Sequence, residues 1–538
     1  MGDADANVEQ LCWGTSAQVF AGDEKIGLMV GKSTASGTDG EASEMPSAMG
    51  GMDDDQEPLA LLVVHAAMHM LFLPQFTCDF FENKDDNSGT TTLFVRSETK
   101  EDLQIRAEAG LNTKVVEAGV SLVPRPTSIV WTSGMGIEKK QAGTEERKYD
   151  KNRIEVLRMM LAACCDPLFS PADEYNPLAS RWLGVATAAD APNAVCLYYS
   201  LMNTILNFDP AQNVYSSGFS DSHIKLVELS AQLLCVLLDC GLPGYPEPVQ
   251  DPKGEPVVEF EAASKGGFNI FRTLMARMDS TAELTFVFEG FTRLLKNVYE
   301  AESGFLPSSS PRLECFQELL VLLWKMLEEN PLFMNHVLTK CNVNELVTPL
   351  CYLMYKARRD PEKIGLVHIC TFILLKLSGE RSFGVALNKP FKTKLPTDLP
   401  LFSGGHNDLL SITLHKLIVN GAYKLVPLYS CFLTIICNIS PYWKSMSLVA
   451  AVKLVNLFEL FASPKFLYSG ENAHRHLALL LEVFNNVIQY QYHGNTHLVY
   501  AVIRRKVSSL FRLHIWKQHI CSFTNFLFFR ILLANWHL

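Results

Sequence analysis

Basic residues are in short supply in this sequence. Lys and Arg number 47 against 57 Asp and Glu, leaving a formal net charge of −10, and only 19% of the chain is charged. A nucleic-acid surface rests on clustered positive charge, so that class of partner is excluded as the principal one. CxxC pairs are missing: the fourteen cysteines sit mostly inside apolar runs, as Cys235, Cys370, Cys431 and Cys437 do, and no secretory leader accompanies them. That usage fits reduced, buried thiols in a cytosolic setting. In that setting the glycosylation triplet Asn438-Ile439-Ser440, followed by Pro441, is incidental. Alternating β patterns are nearly absent. Long apolar runs are lacking too. Leu59 to Leu73 is broken by His65 and His69 and falls short of the roughly 18 to 20 residues that cross a bilayer. Any membrane contact is therefore expected to be peripheral.

What the chain does have is apolar helical pattern, with 48% of its 538 residues hydrophobic. Ile224, Val227, Ala231, Leu234 and Leu238 fall at spacings of three and four, as do Phe316, Leu319, Leu320, Leu323 and Leu327. Each set marks one buried helix face. Leu59 to Leu73 and Asn152 to Cys165 also read as helices. Leu448 to Phe461 is apolar except for a strip of Lys453, Asn456 and Glu459, as an inner helix requires. A punctuation recurs at Ser310-Pro311, Asn330-Pro331, Asp360-Pro361 and Ser440-Pro441. A capping side chain followed by Pro at the first helical position is a start signal, because Pro lacks an N–H that the first turn does not need. Between Pro311 and Tyr500 the pattern predicts about nine helices with short joins, a density suited to stacked antiparallel helices. No fixed repeat period is present. The predicted fold is all-α, an irregular armadillo/HEAT-like helical solenoid.

Composition divides the chain into a mostly disordered segment at 1–58, a helical region at 59–241, a linker or surface loop at 242–267, a helical array at 268–506 and a divergent tail at 507–538. The first segment is Gly-, Ser- and Asp-rich after Ser33 and ends in Asp53-Asp54-Asp55; the linker carries five prolines and four glycines. In the array, Asp360-Pro361 opens a strongly apolar helix that Ser378 and Gly379 stop. A loop from Glu380 to Pro396 follows, mixing charges with Phe383, Val385, Leu387 and Phe391. A loop so studded with apolar side chains must pack on something. Its charged and aromatic residues, Glu380, Arg381, Phe383, Lys389, Phe391, Lys392 and Lys394, form the candidate interaction site. Its charges either pair locally to hold the loop or meet a partner or anionic lipid.

Catalytic and ligand chemistry is weakly signalled. Gly31-Lys32-Ser33-Thr34 has the end of a phosphate-binding loop, but position 26 is Ile where the first glycine belongs, and no helix follows. His65 and His69 lie four apart on one helix face, as zinc helices require, yet no glutamate base stands between them and no third ligand is signalled. His474-Arg475-His476 reads as a wet helix face. No metal, cofactor or catalytic residue is assigned, and an enzyme is not expected.

The stretch GLVHICTFILLKL followed by SGERSFGVALNKPF closely resembles the high-temperature-induced dauer formation protein 1 family, distantly related to dymeclin. The likeness continues through Pro400–Ile418, Pro427–Ser447 and Leu481–Lys506, and upstream through Asn152–Cys164 and Glu314–Met326. It covers Leu59 to Lys506, and Val8 to Phe20 is similar to the family's first helices; a further helical stretch expected before Leu59 has no counterpart. The resemblance implies a helical peripheral membrane protein of the Golgi, on the cytoplasmic side of medial and trans cisternae, that scaffolds secretory protein sorting, vesicle trafficking and dense-core-vesicle formation with other trafficking proteins as partners. It implies no active site. A soluble cytosolic armadillo-like adaptor and a metal-dependent enzyme are the alternatives. From Val507 the chain departs from the family: the tail is basic and aromatic-rich, suited to lying on a membrane surface, or is an extension foreign to the fold. Family members are similar to myristoylated proteins in starting Met-Gly. Here Asp3, Asp5 and Ala6 follow Gly2, and the hydroxyl residue of the acylation motif is missing. This chain is expected to lack the acyl group, so membrane attachment falls to protein partners or to Arg504–Lys506.

Overall fold

The computed structural model describes residues 58–78, 130–132, 134–135, 146–165, 180–188, 191–210, 221–241, 249–250, 256–257, 269–303, 313–469 and 473–504. These residues form helices and their turns. The exception is an antiparallel pair of two-residue strands, β1 (Val249–Gln250) and β2 (Pro256–Val257), within the stretch read as a linker. The fold is all-α. The Gly31–Thr34 motif, the first segment, the tail and Ser310-Pro311 lie outside the described residues.

Three helices come first: α1 (Leu59–Met70), α2 (Asp150–Ala163) and α3 (Arg181–Ala186). From there the order is two long helices and a short one, repeated. α4 (Ala194–Asn207) and α5 (Asp221–Leu237) precede α6 (Ile270–Arg277). α7 (Thr281–Ser303) and α8 (Phe316–Glu329) precede α9 (Pro331–Thr339), and α10 (Asn344–Ala357) and α11 (Ile364–Ser378) precede α12 (Arg381–Ala386). After α13 (His406–Asn420) and α14 (Tyr429–Ile439), the 3-10 turn Ser440–Tyr442 takes the short position. α15 (Leu448–Phe461), the one-turn α16 (Pro464–Leu467) and α17 (Ala473–Gln491) lead to the 3-10 turn Tyr492–Gly494, and α18 (Thr496–Arg504) follows.

The long helices pack in two rows. One runs α4–α7–α10–α13–α15–α18 and the other α2–α5–α8–α11–α14–α17. Cross-links show that helices within a row are parallel. Glu302 near the end of α7 pairs with Lys356 near the end of α10 at 2.8 Å, and Glu328 of α8 with Lys376 of α11 at 2.8 Å. The Asn438 amide near the end of α14 donates to Ser378 Oγ at the end of α11 at 3.0 Å. Turns therefore gather at two edges. The ends of the first row meet the starts of the second at one, and the short helices lie at the other. The periodic residues largely behave as their spacing requires: Leu319, Leu320, Leu323 and Leu327 of α8 are buried, as are Val227, Ala231, Leu234 and Leu238 in and just after α5, while Phe316 and Ile224, which open the two sets, are half-buried against the same core.

The short-helix edge is joined by buried asparagines. Asn269 caps α6 by accepting from Arg272 N at 3.1 Å, while its amide donates to Leu237 O and Cys240 O at 2.7 and 2.8 Å. Asn330 repeats the arrangement. It accepts from Phe333 N at 2.8 Å to cap α9 and donates to Met275 O and Met278 O, at the end of α6, at 2.9 and 2.8 Å. Asn495 donates to Trp443 O at 2.8 Å, across to the preceding unit. All three side chains are fully buried. Each supplies a donor to carbonyls that a helix end leaves without one, and a buried carbonyl without a partner is costly.

Three sequence expectations need correction. Ser440-Pro441 does not begin a helix: Ser440 Oγ donates back to Cys437 O at 2.7 Å, so the pair closes α14, and the next helix starts at Ser447, whose hydroxyl accepts from Ala450 N at 3.3 Å. Proline is tolerated there because a 3-10 turn, like a first helical turn, leaves that N–H unused. Second, Glu380–Pro396 is not all loop, since Arg381–Ala386 is helical. Third, one continuous helical stretch, Tyr423–Tyr442, is long and apolar enough to cross a membrane, and more than half of it is buried in the array. It is a core element, since Phe432, Leu433, Ile435 and Ile436 are all inaccessible. Asp360 caps its 3-10 turn as expected, accepting from Glu362 N at 3.0 Å, before α11 begins at Ile364.

Asn330→Ala removes a cap and leaves two buried carbonyls without donors, at a cost on the order of 3 kcal/mol. Asn330→Asp keeps the cap acceptor but faces a carboxylate toward the same carbonyls, and is expected to destabilise at least as much. Urea denaturation checks both. An Asp variant as stable as wild type would show that only the cap matters.

Candidate interaction surface

Helix α11 delivers the chain to the short-helix edge at Ser378. There Glu380 and Arg381 are exposed, and the following turn of α12 sends Phe383 fully into the core while Val385 faces out. Gly384 touches the next unit: a Cβ there would lie 2.6 Å from Tyr442 Cδ2, too close for any side chain. Leu387 is fully buried. This part of the stretch is fixed by apolar packing.

Asn388 joins three segments. Its amide donates to Tyr442 O at 2.8 Å and to Val385 O at 3.1 Å, and its Oδ1 accepts from Lys444 N at 2.9 Å and Asn407 Nδ2 at 3.2 Å. Beyond it the chain forms a closed loop. Pro390 and Gly405 pair as an antiparallel bridge, and Phe391 N donates to Gly404 O at 2.9 Å. The Phe391 and Phe402 rings stack at 5.7 Å, with His406 edge-on to Phe391 at 5.4 Å. Such self-packed loops with adjoining ends are a recognised surface form. His406 Nδ1 lies 2.8 Å from Lys389 O, and burial holds the imidazole below its ordinary pKa.

The loop returns at the start of α13, where Asp408 Oδ2 accepts from Gly405 N at 2.9 Å and Oδ1 from Ser447 N at 3.1 Å. Gly404 is required here, since a Cβ would sit 1.8 Å from Asp408 Oδ2. Asp408 is inaccessible to solvent. Burial pushes its carboxyl up to about 6, against the opposing effect of the Ser447 and Gly405 hydrogen bonds.

The remaining candidate charges stay in solvent. Lys389 is exposed and its Nζ donates to Asn342 Oδ1 at 3.2 Å. Lys392 and Lys394 are exposed, and among the described residues none of Glu380, Arg381, Lys389, Lys392 and Lys394 forms an ion pair. The local-pairing reading of these charges is thus corrected: apolar packing and amide hydrogen bonds hold the stretch. Asn388 and Asp408, its main polar ties, were not singled out from sequence. The signal available was Gly404-Gly405 three residues before an acid, a short-loop helix start.

The histidine candidates fall elsewhere. His69 is exposed, with Nδ1 3.5 Å from Asn193 Nδ2. Among the described residues no cluster of three or more His, Cys, Asp or Glu could hold a metal ion. His474 and Arg475 are exposed, but His476 stacks on Phe461 at 5.4 Å, correcting its reading as part of a wet face.

The fold and the candidate surface can be set beside known proteins. The family described as "Dymeclin: Dyggve-Melchior-Clausen syndrome protein" matches residues 12–527. Protein HID1 of Mus musculus is 35% identical over 459 residues, 84% of this chain and 54% of the relative. Protein HID1 of Homo sapiens is 37% identical over 382 residues (70% and 48%), and that of Dictyostelium discoideum 29% over 461 residues (84% and 47%). The chain belongs to the Hid-1 family of dymeclin-like proteins. It spans about half the length of the curated relatives it matches. No solved structure matches it.

Phe383→Ala empties a fully buried site and is expected to cost about 3 kcal/mol, read as a lowered Tm. An unchanged Tm would mean that Phe383 serves a partner instead of the core. Asp408 gives a pH test. Its folded-state pKa of about 6 lies above the ordinary carboxylate value, so the folded chain takes up a proton between pH 6 and 4 that the unfolded chain does not. Wild type should therefore gain stability relative to Asp408→Asn as pH falls from 7 to 5, by about 1 kcal/mol. A gap that does not change with pH would contradict the assignment.

Proposed function

We propose that this chain is a non-enzymatic helical scaffold that associates peripherally with Golgi membranes and serves secretory protein sorting and vesicle trafficking. Membership of the Hid-1 family is the observation that carries the reading. The architecture supports it. Two rows of helices bury their apolar faces on each other and leave two edges of turns for contacts, which suits a protein that holds partners together. The relatives' name, Protein HID1, denotes no enzyme. The partners are other trafficking proteins, with exposed Glu380, Arg381, Lys389, Lys392 and Lys394 offering charged contacts on a surface fixed from beneath. Contact with the membrane is taken as peripheral, since among the described residues the one helical stretch of spanning length is more than half buried in the array.

The test is to tag the chain and locate it in its own cells beside markers of medial and trans Golgi cisternae. Overlap with these markers that survives washout of free cytosol is expected. A uniform cytosolic distribution would overturn the reading in favour of a soluble adaptor.

A further inference from the structure

The opposite edge of the array, where first-row helices end, carries positive charge and exposed aromatics together. Arg358 and Arg359 follow α10, Lys416 lies in the last turns of α13, Lys453 stands behind them in the first half of α15, and Tyr423-Lys424 open the 3-10 turn Tyr423–Leu428. The pieces are joined by backbone. Ala422 N donates to Arg358 O at 2.7 Å, and Arg359 Nε reaches Asn420 O at 3.4 Å. Arg358 is pinned over the Tyr355 ring at 3.8 Å. The Lys416 ammonium is held below its ordinary pKa by burial first, then by the charges of Lys453, Arg358 and Arg359.

The acids near them are Asp398, Glu362 and, half-buried in the last turn of α15, Glu459. Among the described residues none of Arg358, Arg359, Lys416, Lys424 and Lys453 forms an ion pair. The Asp398 carboxylate, on the closed loop, acts on Lys416 from beyond salt-bridge distance. Asp360 is already paired with Lys363 at 3.0 Å and Glu302 with Lys356 at 2.8 Å, while Glu362 is exposed beside them.

Cations near helix C-termini complement the macrodipole, and that accounts for some of the charge. It does not account for the side chains standing among them. Tyr423 is 79% exposed, with Val419 and Val426 half exposed beside it. The next turn of the same edge repeats the pairing: Lys465 is exposed and Tyr468 is 73% exposed after α15. The two turns are neighbours, since Tyr429 at the start of α14 meets Phe461 at the end of α15, ring centroids 6.2 Å apart.

We propose that this edge docks on an anionic membrane surface, the arginines and lysines taking lipid headgroup charge and Tyr423, Val426 and Tyr468 entering the interface. The inference rests on the peripheral-membrane reading above and assigns it a surface. Charge complementarity carries it. Cations spread over three helices suit a sheet of negative charge better than one converged anion, and tyrosine between water and acyl chains places its ring and hydroxyl where each is favoured. An acidic peptide would be expected to lie in a groove, whereas these tyrosines stand out from turns.

Vesicle flotation of the full chain tests it, with vesicles of phosphatidylcholine alone or of three parts phosphatidylcholine to one part phosphatidylserine. Wild type is expected to float only with the anionic vesicles. Arg359→Glu with Lys424→Glu reverses two solvent-facing charges and should weaken that binding by roughly tenfold or more. Tyr423→Ser should weaken it severalfold, and stands as a separate arm if the double variant misfolds. Lys340→Glu, an exposed charge reversal after α9 on the other edge, should bind as wild type does. Wild type that fails to float overturns the inference while leaving Golgi association through protein partners to the localisation experiment. Full binding by both edge variants also overturns it, and assigns the membrane contact to another part of the chain. Retention on immobilised polyglutamate, lost in the double variant, without vesicle binding would overturn it in favour of an acidic protein partner.

Discussion

Several turns at the short-helix edge of this array are buried, and a buried turn must find donors for the carbonyls that the helix ends release. Asparagine meets that requirement repeatedly. At Asn269 and Asn330 one side chain both caps the helix it begins and donates twice to the end of an earlier helix. At Asn388 and Asn495 the amide reaches across to the turn that follows α14. The amide group suits this task because it offers two donors and an acceptor without charge. A carboxylate offers no donor, and serine offers only one. The spacing of the units follows from these ties together with the interlocking apolar faces.

Much of the fold was legible. The three-and-four spacing of α5 and α8 marks buried faces, and the Asn330-Pro331 and Asp360-Pro361 pairs start helical turns because side-chain acceptor and proline act within four residues of each other. Local chemistry is readable when it is complete locally. Ser440-Pro441 misled because the same two residues can close a helix when the serine hydroxyl turns back to the carbonyl three residues earlier. The role of Asn388 was hidden for another reason: its partners at Tyr442 and Lys444 lie more than fifty residues away, and an asparagine before Lys-Pro looks like ordinary turn composition.

The candidate surface was legible in its apolar half. Phe383 and Phe391 announced a loop that packs down, and they lie against the array as such residues must. Its charged half was open in sequence because solvent-exposed charges carry no pattern that tells a partner from a neighbour. The basic and aromatic edge was not legible at all. Arg358-Arg359, Tyr423-Lys424 and Lys465–Tyr468 are three short, separate turns, and only the parallel running of helices within a row brings them to one side. Function follows the same division: residue patterns specify stacked helices, while assignment to the Hid-1 family comes from extended similarity.

The account's central claim is that single asparagines, fully or half buried, tie distant turns into one body. Hydrogen–deuterium exchange of wild type and Asn388→Ala measures this most directly. Asn388 bridges α12 and the turn beyond α14, so its loss should speed exchange both at 384–389 and at 442–447 while leaving α8 and α9 as protected as before. Faster exchange confined to 384–389, with 442–447 unchanged, would contradict the account and reduce Asn388 to a local turn residue.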